Sequence, residues 1–236
     1  MRLRPLDKAQ GGRGMKIIDI SWPITENTTG YKNRKNIKFT RYKNFETDGW
    51  RESLITLESH SGTHIDAPSH FVRDGKNIES ISLDRLVGDC IVLDLTDVQE
   101  SGSPFDENGA KSITRDILFE HDHEINKDDI IILKTSNSAT KPEDLFLPNF
   151  VYLDHSGAHY LAQKGVKAVG IDYLGIERNQ PGHETHIELM QNNIVIIEGL
   201  RLQHVQAGNY FFCCLPLAIQ GLEAAPARAV LIDDNL

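Results

Sequence analysis

Three imidazoles and a carboxylate fall within eleven residues of this chain, in the run His60, Ser61, Gly62, Thr63, His64, Ile65, Asp66, Ala67, Pro68, Ser69, His70. Imidazole nitrogen combined with carboxylate oxygen suits zinc, manganese or iron, whereas calcium and magnesium favour oxygen alone. The backbone between these side chains decides whether one centre can collect them. On a straight strand His60, His64, Asp66 and His70 would share a face, but about 3.3 Å per residue would put His60 and Asp66 about 20 Å apart. A helix would align His60 with His64 and turn Asp66 away, and Gly62 with Pro68 argues against a helix. The run is therefore expected to be a curled loop. Gly62 can supply unusual backbone angles, and Pro68 pushes Ala67 toward extended geometry, so that His70 follows a bend. Ser69 has no evident ligand role.

A second candidate pair is His186 and Glu198, which lies directly after the apolar residues 194–197. A wholly apolar strand is expected to be central, and burying an unpaired carboxylate at its end costs several kcal/mol. No lysine or arginine occurs in residues 191–200, so a metal shared with Asp66 is the expected partner, approached by His186 from the preceding helix. Two other histidine groups are set aside. His183, Glu184, Thr185, His186 resembles a zinc-protease helix, but its histidines are three apart where HExxH requires four. His155 and His159 have the four-residue spacing, yet Asp154 to Ser156 reads as a helix N-cap and structural roles are expected there. No GxSxG nucleophile elbow occurs.

The elements that must position these residues are short. Strands are expected at residues 16–20, 54–57, 90–95, 130–133, 168–171, 194–197 and 229–232, each β-branched or apolar and bounded by turn residues. Helices are expected at 114–120, 156–165 with a terminal glycine cap, and 184–191. The mixture is α/β or α+β. Residues 101–109 and 136–144 read as surface loops, and residues 1–14, rich in Gly and Arg without apolar periodicity, as a disordered extension before a single domain at 15–236.

Composition narrows the function. With 236 residues and 39% hydrophobic content the chain can bury a sizeable core. A formal charge of -9 opposes the phosphate neutralisation of nucleic-acid binding. No apolar stretch is long enough for a membrane span and no secretory h-region opens the chain, so a cytoplasmic location is expected. Cys90, Cys213 and Cys214 form no metal pair or disulfide framework and are expected to be buried.

The central run resembles that of the cyclase-like metal-dependent hydrolase family, which includes bacterial kynurenine formamidases and isatin hydrolases. The resemblance starts at Asp19, Ile20, Ser21, passes through residues 60–70, and continues in residues 165–172, His186, and residues 194–200, 215–217 and 226–231. It implies a swivelling β/β/α-type α/β single domain with one or two divalent metal ions per chain, zinc first and manganese second. It implies His60, His64 and Asp66 as ligands of a first metal, His186 and Glu198 as completing the site, and His70 as the proton-shuttling catalytic histidine. Tyr31 takes the position of a substrate-contacting tryptophan of the formamidases. The expected reaction is arylformamidase-type hydrolysis of a small aromatic amide, with ring opening of a cyclic amide such as isatin, or of a lactone, as the alternative. A non-catalytic metal-binding or small-acid-binding protein is the alternative of another class. A homodimer or homotetramer is expected, with no nucleic-acid or membrane partner.

Overall fold

The computed structural model describes residues 15–98 and 111–233. The proposed extension at residues 1–14 and the loop at 101–109 lie outside the described residues. The strands are β1 (Lys16–Asp19), β2 (Lys38–Lys43), β3 (Glu52–Thr56), β4 (His64–Asp66), β5 (Val87–Leu95), β6 (Ser112–Ile113), β7 (Ile130–Thr135), β8 (Tyr152–Leu153), β9 (Ala168–Ile171), β10 (Val195–Glu198), β11 (Gly208–Pro216) and β12 (Ala224–Asp233). The α-helices are α1 (Phe45–Asp48), α2 (Arg115–Glu120), α3 (His155–Lys164) and α4 (Glu184–Gln191).

The main sheet runs β1-β12-β11-β5-β7-β9-β10-β4, and β12 also pairs with β4. That last pairing closes a seven-stranded barrel, with β1 attached outside the ring along β12. Closure removes the exposed edges that an open sheet would leave. β5, β7, β9 and β10 are parallel, and the connections between them carry α2, α3 and α4. This is a mixed α/β single domain, as expected.

Parallel strands covered on both faces read as continuous apolar runs, and period two sorts their side chains. Cys90, Val92, Ile130, Ile132, Val195 and Ile197 fill the barrel interior with Ile65 and Leu231. Ile91, Leu93, Ile131, Leu133 and Ile196 face the opposite way, onto the layer formed by Leu118, Leu161 and Leu189 of the helices. The parity has a direct consequence for chemistry. Ile65 and Ile197 point inward, so His64, Asp66 and Glu198 point outward, toward the helices. Register then brings them together, because Glu198 stands opposite His64 and Ile196 opposite Asp66.

The helix boundaries agree closely with expectation. Asp154 caps α3 by accepting from the Gly157 N–H at 2.9 Å, and Gly165 ends it at φ 71°. Thr114 accepts from the Ile117 N–H at the start of α2. Several expectations need correction. The run at residues 60–70 is not all loop: His64–Asp66 is a strand held between β10 and β12, and Pro68–His70 is a 3-10 turn. Glu198 is the last residue of β10 and does not lie beyond it. β2, β6, β8 and β11 were unanticipated. β2 belongs to a charged, exposed hairpin with β3, and β11 lacks the β-branched signature, its pairing being imposed by β5 and β12. Residues 136–144 are not simply surface, since Asn137 and Ser138 are buried around Asp172. Strand alternation buries Cys214 and leaves Cys213 half-buried. Among the described residues, no helix is long and apolar enough to cross a membrane.

Candidate metal centre

A sharp turn before β4 bends the histidine run. Gly62 has φ 63°, and a Cβ there would meet Ile24 Cγ1 at 3.0 Å. Gly199, at φ 71°, backs onto it so closely that a Cβ would lie 2.3 Å from the Gly62 carbonyl oxygen. Only glycine fits such an approach in left-handed backbone. Thr63 fastens the turn, donating from Oγ1 to the Gly199 carbonyl at 2.5 Å and accepting the Trp22 N–H at 2.7 Å.

With the turn in place, all five expected ligands converge. His60 Nδ1 and His64 Nε2 lie 3.0 and 3.5 Å from Asp66 Oδ1, and His186 Nε2 lies 3.6 Å from Asp66 Oδ2. Glu198 stands between the last two, 3.3 Å from His64 Nε2 through Oε2 and 3.5 Å from His186 Nε2 through Oε1. His64 Nδ1 donates to the Gly62 carbonyl at 2.9 Å, so in the neutral ring Nε2 carries the lone pair into the cluster. His64 Nε2 and both Asp66 oxygens are buried and lack hydrogen-bond partners. Such orphans are rare in proteins, and a cation at their point of convergence would satisfy them together.

Among the described residues three overlapping groups of donor atoms could hold a metal ion: His60, His64 and Asp66; Asp66, His186 and Glu198; and Glu177, His183 and His186 beside them. Asp66 belongs to the first two, one oxygen turned to each. The nitrogen-and-oxygen donor set fits a divalent transition metal. Glu198 has one protein partner that its sequence position did not suggest, the Ile176 N–H, which it accepts at 2.6 Å.

Electrostatics follow the same convergence. Burial and Asp66 both push Glu198 up, yet the His186 and His64 rings at 3.5 and 3.3 Å prevail and bring it down to about 2. Burial disfavours charge on His64, but Glu198 and Asp66 outweigh it and raise it to about 9. Asp66 is held well below the carboxylate range: burial opposes this, and His186 and His60 overcome it.

A cleft of about 230 Å³ opens onto the cluster, bounded by Tyr31, Arg34, His70, Phe71, Leu174 and His183 among others. His70 sits beside His60 with ring centres 4.2 Å apart, and 6.0 Å from His186. Burial depresses it to about 4, with Asp66 pulling upward and His60 and His186 adding to the decrease. Tyr31, on a 3-10 turn, reaches the cleft and packs edge-on against Phe146 at 4.8 Å.

Sequence reasoning missed two residues here. Glu177 is buried and accepts from His183 Nδ1 at 2.5 Å and from the His186 backbone N–H at 3.1 Å. It lies six residues beyond the end of β9, after Gly175 and Ile176, and carries no strand-end signal like that of Glu198. His183 had been set aside on helix spacing alone, and it reaches the cleft because it precedes α4 and is not part of its face. His155 and His159 do stay apart from the centre, pairing with Glu188 on the surface.

Comparison with known proteins agrees with this architecture. A family profile described as Cyclase, putative cyclase, matches residues 18–178, more than half of the chain. A kynurenine formamidase of Salinibacter ruber is 30% identical over 93% of this chain and 98% of its own length. One from Geobacillus thermodenitrificans is 31% identical over 91% and 96%. A solved structure described as a predicted metal-dependent hydrolase from Bacillus stearothermophilus superposes with a TM-score of 0.79 at 41% identity, covering 93% of this chain and 99% of its own. An isatin hydrolase bound to thioisatinate shares the fold with a TM-score of 0.77 at 19% identity, over 93% and 92%. With its barrel, its helix layer and nearly its whole length matched in these proteins, the chain belongs to the cyclase family of metal-dependent hydrolases.

Proposed function

We propose that this protein is a metal-dependent amidohydrolase that cleaves the non-peptide C–N bond of a small aromatic amide, in an arylformamidase-type reaction. The observation that carries the reading is the set of unpaired, buried imidazole and carboxylate atoms at the floor of a cleft with aromatic walls. The near full-length similarity to two kynurenine formamidases supports the substrate class.

His60, His64, Asp66, His186 and Glu198 would hold the metal, with Asp66 shared between two ions, zinc being the first candidate. When bound, divalent metal supplies Lewis-acid polarisation of a carbonyl and lowers the pKa of water toward neutrality. His70 stands at the mouth of the cluster and is not one of the converging ligands, so its role is proton transfer. It accepts a proton from water as the water oxygen bonds to the carbonyl carbon. It returns that proton to the nitrogen as the C–N bond breaks, because an amine anion is a very poor leaving group. Tyr31, Phe71 and Leu174 wall the aromatic part of the substrate and exclude water from it.

The test is metal analysis of protein purified without added metal, followed by a panel containing an aryl formamide, a cyclic aromatic amide and a lactone. Preferred, metal-dependent release of formate from the formamide is the expected result. Preference for the cyclic amide would replace the reading with ring opening, and bound metal with no turnover of any member would leave a binding protein.

A further inference from the structure

Glu177 contacts two imidazoles that do different things. Through Oε2 it meets His186, accepting the backbone N–H at 3.1 Å and lying 3.0 Å from ring Nδ1 in an ion-pair contact without hydrogen-bond geometry. Through Oε1 it accepts from His183 Nδ1 at 2.5 Å. A carboxylate can only accept, so the hydrogen bond fixes a proton on His183 Nδ1, and the 3.0 Å approach favours one on His186 Nδ1; in the neutral form each ring then offers a lone pair at Nε2. For His186 that lone pair faces Asp66 and Glu198.

His183 lies outside the two groups that share Asp66, and its conformation is unusual. It is a non-glycine residue at φ 55°, ψ 42°, and it sits at the N-cap of α4 without capping the helix through its side chain. Left-handed backbone disfavours an L-residue, and a side chain held this way is kept there by its surroundings. Here the surroundings are Glu177 on one side and the Phe71 ring on the other, 4.2 Å away and tilted by 32°. Phe71 also packs on His70 at 4.0 Å and on His186 at 4.4 Å. The side chain of His183 is 51% exposed and lines the same cleft as His70.

We propose that Glu177 is a positioning residue with a double function: it orients His186 for the metal and presents His183 Nε2 to an N–H donor of the substrate. The proposal rests on the amidohydrolase reading above and names the anchor for the nitrogen side of the amide. Carboxylates that fix a ligating imidazole through its second nitrogen typically change metal affinity 10- to 100-fold when removed. One carboxylate therefore ties substrate placement to metal placement through two rings on the same side of the cleft.

The experiment uses the metal-loaded protein and four variants: Glu177→Gln, Glu177→Asp, His183→Gln and His183→Phe. Nitrogen NMR of the imidazoles should show the Nδ1–H tautomer at His183 in the wild type, lost in Glu177→Gln. Zinc titration should show retention weakened by roughly 10-fold or more in Glu177→Gln, partly rescued in Glu177→Asp and unchanged in both His183 variants. With formanilide, the His183 variants should raise KM about 10-fold while kcat stays within about threefold, and they should lose discrimination against N-methylformanilide, which lacks the N–H. An Nε2–H tautomer at His183, or unchanged zinc affinity in Glu177→Gln, would overturn the positioning role. An unchanged KM in the His183 variants would overturn the substrate contact. If the wild type hydrolyses neither anilide, the substrate contact falls together with the proposed function, while the tautomer and zinc measurements still decide the role of Glu177.

Discussion

Replacing Glu198 with glutamine removes one charge from the centre and almost no volume. Glutamine can keep its carbonyl oxygen on the Ile176 N–H, now 2.6 Å from Oε1. Its amide nitrogen then occupies the Oε2 position, 3.3 Å from His64 Nε2. Removing the Glu198 carboxylate takes away the main partner that keeps His64 charged, and in the neutral ring, with Nδ1 committed to the Gly62 carbonyl, Nε2 accepts from the new amide N–H. The amide thus keeps both neighbours of the carboxylate, and the fold is kept. The substitution nevertheless withdraws two metal donors at once, the carboxylate and the His64 lone pair. Without metal, a carboxyl held at about 2 when folded and near 4.5 when unfolded contributes stability above 4.5 that is lost as pH falls toward 2. Losing it amounts to at most about 3 kcal/mol, reduced by about 1 kcal/mol from the new neutral hydrogen bond. The decisive quantity is the stabilisation gained on adding metal, about 2.7 kcal/mol in the wild type at a hundredfold excess over Kd. A tenfold weaker site loses about 1.4 kcal/mol of it, a Tm shift smaller by roughly 3–6 °C for a domain of this size. Thermal melts with and without zinc, bound-metal stoichiometry and kcat/KM read the three consequences, and kcat/KM should fall more than about tenfold. Full metal occupancy with wild-type turnover would refute the assignment and reduce Glu198 to a buried ion-pair residue.

Three further outcomes are expected. His70→Ala should retain the wild-type metal-to-protein ratio while losing turnover by about 100-fold or more, and a metal-depleted variant would move His70 into the ligand set. Burial raises Asp172 to about 6 despite four hydrogen bonds from Thr135 and Ser138, so its contribution to stability is full below 3.8 and lost as pH rises through 6. Asp172→Asn, which can keep both backbone N–H bonds on one oxygen, should gain up to about 3 kcal/mol relative to wild type between pH 4 and pH 7 in denaturant melts. A pH-independent difference would show that the wild-type carboxyl titrates normally. Gly199→Ala should destabilise by about 3 kcal/mol or more, since the added Cβ would lie 2.3 Å from the Gly62 oxygen in left-handed backbone. It should also weaken metal binding by moving His64 against Glu198, and a variant with wild-type Tm and metal content would contradict the close approach.

The helices and the parallel strands were legible in the sequence because their signals are local: the Asp154 cap, the Gly165 stop, and the apolar runs at β5, β7, β9 and β10. The ligand types were legible for the same reason, since a dense cluster of imidazole and carboxylate needs no fold to be noticed. The burial argument also reached Glu198, whose charge conflicts with the strand that carries it. Other features had no local signature. β4 is three residues long and exists because β10 and β12 pair on either side of it. Its register, with Glu198 opposite His64, is what puts the second ligand group against the first. Glu177 and His183 escaped because their meaning lies in contacts made across the cleft wall, with His186 and Phe71, and not in spacing along the chain. Residue types in a sequence state which chemistry is available. Barrel closure and strand register decide which of those residues meet, because the pairing partners are more than a hundred residues apart and only long-range packing brings them into contact.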